Sequence, residues 1–131
     1  MAEIYGGGSR VTSCVDDDDR MAGKVVPPSM VKLFIPWSRM LSSYVVTAFI
    51  DTVITATGAA QPKLWDITEE EDVDTDNGTP HVDVDTWGYR EVNIPRPTDG
   101  LDREYGLYYE LTTITKDDVF GMLKARFEPA T

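Results

Sequence analysis

Tyr44-Val-Val-Thr-Ala-Phe-Ile-Asp-Thr-Val-Ile-Thr-Ala-Thr57 is the longest apolar passage of the chain, and its reading decides the fold. It is crowded with β-branched residues, which pack well on a pleated surface and lose rotamer freedom in a helix. Taken with period two, Tyr44, Val46, Ala48, Ile50, Thr52, Ile54 and Ala56 share one face, and Val45, Thr47, Phe49, Asp51, Val53 and Thr55 share the other. The first face is the more apolar, as expected of a long central strand turned toward a core. Helical spacing is present as well, through Leu41, Val45, Ala48, Phe49 and Thr52 with Ser38 placed to cap. The β-branched content weighs for the strand.

Around this stretch the chain has 131 residues, enough for one domain with a real core. Its hydrophobic content of 41% and its 10 glycines are ordinary for a globular protein. The charge is not ordinary: 12 basic against 23 acidic residues leave −11. That balance repels phosphate backbones and anionic lipid at long range, so direct nucleic-acid binding is not expected. Asp51 interrupts the best apolar run well short of the roughly 20 residues a bilayer needs, so no membrane span is expected. Met1 to Arg20 is rich in Gly, Ser and Asp and lacks the basic and apolar regions of a secretory signal peptide. The one cysteine, Cys14, precedes Asp16, Asp17, Asp18 and Asp19, whose charge disfavours a thiolate and argues against catalysis.

From Met1 to Pro28 there is no sustained period. Gly6, Gly7 and Gly8 loosen the segment, the four aspartates repel one another, and Pro27-Pro28 stiffens its exit. Residues 1–28 therefore read as an extended N-terminal arm, with Ile4, Tyr5, Val11 and Val15 as apolar anchors for a neighbouring subunit. Residues 29–131 read as a single, mainly β domain of the α+β kind. Its expected form is a small antiparallel sheet, sandwich or barrel with one C-terminal helix.

Within that domain Val31 to Ile35 is a short strand ended by Pro36, followed by the core candidate Trp37. Gly58, Ala59, Ala60 and Pro62 read as a turn, Leu64 to Thr68 as a strand, and Val82 to Ile94 as a strand bent at Gly88. Pro95, Pro97, Asp99 and Gly100 open a loop to Gly106, and Leu107 to Thr115 is the second core strand. Residues 116–127 read as a helix: Thr115 caps it, Asp117 and Asp118 occupy its first turn, Lys124 and Arg126 its last, and Val119, Leu123 and Phe127 its inward stripe.

Glu69 to Asp85 concentrates the acids. Asp72, Asp74 and Asp76 fall at positions one, three and five of a calcium loop and Asp83 at position twelve, so Ca2+ is the one candidate cofactor; otherwise none is expected. Asn77 stands where such a loop wants glycine, and a solvated hairpin at Asp76-Asn77-Gly78 explains the same residues. His81, the only histidine, has no His or Cys near it to share zinc. No metalloprotease His-Glu pair, nucleophile elbow, dinucleotide fingerprint or Cys-Cys pair occurs. An enzyme is not expected.

The arm from Met1 to Pro28, the β-rich middle and the short terminal helix expected over 116–127 together resemble small virion proteins of tailed phages, of the decoration, head-completion or tail-terminator type. The resemblance implies a non-enzymatic structural subunit in a capsid, neck or tail. It further implies homo-oligomeric or other virion partners, and a location in the virion or the host cytoplasm. A different class also fits the charge: an acidic inhibitor or nucleic-acid mimic, with Asp16 to Asp19 and Glu69 to Asp76 facing a basic partner.

Overall fold

A computed structural model describes residues 4–7, 15–21, 23, 25–27, 29–73 and 79–129. Eight strands follow one another: β1 Ile4–Gly7, β2 Lys32–Ile35, β3 Tyr44–Ile54, β4 Ala59–Asp66, β5 Glu71–Asp72, β6 Gly88–Ile94, β7 Arg103–Thr112 and β8 Val119–Pro129. They form two four-stranded sheets, ordered β1-β8-β3-β6 and β2-β7-β4-β5, with every pairing antiparallel. Successive strands change sheet at each step except from β4 to β5. That connectivity is the eight-stranded jelly roll, a double-sheet answer to the problem of sheet edges.

β3 fills the central role its sequence suggests. Val46, Ala48, Ile50, Thr52 and Ile54 are buried, and they meet Leu33, Ile35, Leu64, Tyr105, Leu107 and Tyr109 of the second sheet. Each fully buried Ile or Leu adds roughly 1.5–3 kcal/mol, so this two-sheet layer is the main source of stability. The two polar pairs inside it are satisfied across elements: Thr52 Oγ1 lies 2.8 Å from Tyr109 Oη, and Trp37 Nε1 donates to Tyr105 Oη at 3.0 Å.

The C-terminal helix expected over 116–127 does not form. Thr115 and Asp118 do make a reciprocal capping box, with Thr115 N donating to Asp118 Oδ2 at 3.0 Å. It closes only the 3-10 turn Lys116–Asp118, and β8 starts at once. Val119, Leu123 and Phe127 are spaced by four, an interval that suits a helical stripe and one face of a strand equally well. Val119, Gly121, Leu123 and Ala125 are buried in alternation with more exposed neighbours, which is the strand period. Gly121 decides it, because a Cβ there would collide with the Tyr109 hydroxyl and crowd Leu107 of the facing sheet.

Three further boundaries move. Residues 58–62 are not a turn, since β4 begins at Ala59 and carries Pro62 in its interior. Ala60, two residues before Pro62, exchanges backbone bonds with His81, and Leu64, two after, accepts from Val73. Pro62 therefore turns its missing donor to the same side, away from β7, where an edge tolerates it. Residues 82–87 are not a strand: they run irregularly, touching Ile54 by a bridge at Val84, and Asp85 at φ 62° turns the chain into β6. β7 starts at Arg103, inside the expected loop, and stops before Thr113 at φ 72°.

The leader also departs from a free-standing arm. Ile4–Gly7 pairs with β8 at the edge of the first sheet. Val15 is 2% exposed and packs with Met30, Trp65 and Tyr108, with Met21 and Val26 beside it. Sparse apolar residues in a polar leader suffice when a shelf of large rings on the same chain offers them burial.

Candidate functional site

Three places bring functional side chains together: one end of the sandwich and its two outer faces. At the end, the β4–β5 and β6–β7 connections enclose a cleft of about 430 Å³. Arg103 sits in it with a side chain 7% exposed, between Asp99 at 2.9 Å, Glu69 at 3.1 Å and Asp66 at 3.5 Å. Its hydrogen bond holds the Asp99 carboxyl below the usual carboxylate range. Arg96 beside it donates to the carbonyls of Trp37 and Met40 and lies over the Trp37 ring. Both guanidiniums are thus committed to tying loops together, which is structural work.

The outer face of the second sheet is covered. Residues 15–21 and 25–27 lie as a strap over Trp65 and Tyr108, whose rings meet edge to face at 6.4 Å. Arg20 places its guanidinium 4.6 Å from the Trp65 centroid and 5.0 Å from that of Tyr108, and it pairs with Asp17. Tyr109 N donates to Val15 O, fixing the strap to β7. Lys116 Nζ meets Asp19 Oδ2 at 2.8 Å, and that bond lowers the Asp19 carboxyl, whereas burial and the neighbouring Asp19 raise Asp16.

The outer face of the first sheet has no such cover among the described residues. The register sets Met122, Asp51 and Tyr89 in one row and Lys124, Phe49 and Glu91 in the next. Phe49 stacks on Tyr89 at 6.0 Å and 23°, and Lys124 and Arg126 approach its ring at 5.9 and 5.0 Å. Long side chains from β6 and β8 thereby bury Phe49 on an outward face. Burial and the Glu91 carboxylate push the Tyr89 hydroxyl up. Trp87, Tyr89 and Met122 remain 46%, 61% and 40% exposed.

The residues singled out from sequence are placed as follows. Val15 is inside its own chain; Ile4 and Tyr5 lie in β1; Val11 falls outside the described residues. Asp72 pairs with Trp65 in the sheet and accepts a hydrogen bond from Tyr108 Oη at 2.5 Å, while Asp83 belongs to the segment that touches the start of β4 through His81. Asp74 and Asp76 lie outside the described residues. His81 packs its ring on Gly88, with Nε2 2.7 Å from Thr86 O. No group of metal-binding side chains occurs among the described residues, and no helix among them is long and apolar enough to cross a membrane.

Sequence reasoning missed the patch at Phe49, Tyr89 and Met122. The signal was there: once residues 119–129 are read with period two, Phe120, Met122, Lys124 and Arg126 fall on one outward line beside the odd-numbered positions of β3. No protein-family model matches the chain, and a search of curated proteins finds no relative.

Proposed function

We propose that this protein is a non-enzymatic structural subunit that assembles with copies of itself or with other proteins of a virion-type particle. The observation that supports this reading is the strand order, β1-β8-β3-β6 against β2-β7-β4-β5, the jelly roll used by viral capsid subunits and also by lectin domains and cupins. Fold alone does not choose among these. The interior does favour one: it is filled by Ile35, Ile50, Leu64, Tyr109 and Leu123, and its polar groups bond to each other instead of converging on a ligand. Small virion proteins of tailed phages, which the sequence resembles, are the class proposed within that reading. Of the leader's anchors, Val15 is withdrawn from this role, because it packs against its own chain. The acidic-mimic reading gains nothing, since Asp17 and Asp19 are engaged by Arg20 and Lys116.

The test is the mass of the purified full chain by sedimentation velocity from about 1 to 100 μM, the span in which standard-size interfaces declare themselves. Assembly predicts a discrete dimer or larger species that grows with concentration. A monomer throughout, together with no incorporation into particles, would remove the proposal.

A further inference from the structure

We infer that the outer face of the first sheet is a contact with a second copy of this chain, formed about a two-fold axis that runs along β3. The inference rests on the assembly reading above and supplies the surface that reading lacks. Composition is the first support. Tyr89, Met122, Phe120, Lys124 and Arg126 lie on one face, and tyrosine, methionine and arginine are among the side chains enriched where proteins bind proteins. Solvent-facing aromatic area on this scale marks an interaction site more often than an idle surface.

Charge selects the occupant. The chain carries −11 in total, so any second copy is equally acidic. On this face Lys124 and Arg126 stand against Asp51, Glu91 and Glu128, two cations against three anions, so most of the acidic charge is offset there on an otherwise anionic body. Two such bodies meet at least electrostatic cost there.

Register then gives the geometry. A two-fold axis along β3 lays row on row and exchanges the flanking strands β6 and β8. Lys124 falls opposite Glu91 of the second copy, Met122 opposite its Tyr89, and Arg126 opposite its Asn93. Aligned sheets cross at only about 30°, which keeps these central rows facing. The contact is isologous, so each complementary pair occurs twice. Residues of β3 meet their own counterparts, and for Asp51 that makes a like-charge pair that opposes the contact.

Sedimentation of the full chain and its variants tests this, with near-ultraviolet circular dichroism confirming that each variant is folded. Tyr89→Ala should weaken association about tenfold, the effect of losing an aromatic anchor. Lys124→Glu and Glu91→Lys should each weaken it about fivefold, and Lys124→Glu/Glu91→Lys together should regain most of the loss. Asp51→Asn should tighten it. An oligomer that ignores all of these variants would overturn this contact and leave the assembly reading standing. Loss without rescue in the charge-exchanged double variant would overturn the two-fold arrangement. A chain that stays monomeric and enters no particle removes both.

Discussion

The two outer faces of the sandwich carry similar side chains and treat them differently. On the second sheet, Trp65 and Tyr108 lie under a strap whose own apolar residues complete their burial. On the first sheet, among the described residues, Phe49 is covered by side chains of its neighbouring strands, and Tyr89 remains largely exposed. Aromatic content therefore does not tell which face is core and which is contact surface. What tells is whether the chain supplies its own cover.

The largest effect expected from that difference is in stability. Trp65→Ala should cost about 3–5 kcal/mol, as truncation of a buried aromatic does, whereas Tyr89→Ala should leave the monomer's midpoint in urea nearly unchanged. Equal losses would erase the distinction between the faces. Next in size, Val15→Ala should cost about 2 kcal/mol and raise quenching of tryptophan fluorescence by iodide, because the strap loses the anchor nearest Trp65. Unchanged quenching would mean that the strap holds without it.

The ion pair at the strap's edge should matter less. Lys116→Ala should speed tryptic cleavage after Arg20 severalfold while the global unfolding midpoint barely moves, as befits an exposed pair. Acid sharpens the same point. The folded Asp19, Asp99 and Asp102 carboxyls lie below their ordinary value of 3.8, each because of a hydrogen bond that favours the charged form. Their stabilisation is complete above that value and is lost as pH falls through the lower folded values. Asp16, raised by burial, acts in the opposite sense and takes its proton first. Loosening of the strap, read by acrylamide quenching of tryptophan fluorescence with near-ultraviolet circular dichroism as the control for global unfolding, should therefore begin only below about pH 4, where ordinary carboxylates titrate.

Much of this was legible in the chain. The alternation from Tyr44 to Ile54 states a central strand, because β-branched residues on a buried face admit little else. The capping box at Thr115 was legible too, yet it misled, since a cap specifies only where a turn starts. Whether a helix follows depends on a glycine whose meaning, clearance for Tyr109, exists only in three dimensions. The strap was hidden for a similar reason: Val15, Met21 and Val26 share no period, and their partners Trp65 and Tyr108 lie 39 or more positions away. The patch at Tyr89 needed the pairing of β6 and β8 on either side of β3, which no single segment announces.

Pro62 and Arg90 carry a last consequence. A strand with bare amides along its side invites extended polypeptide from other molecules, and proteins kept at high concentration suffer most from that invitation. Here the ring removes a donor from the rim of β4, and Arg90 Nη1 claims the Pro62 carbonyl at 2.9 Å. With donor deleted and acceptor occupied, fibril-like stacking finds no template at that stretch of the rim.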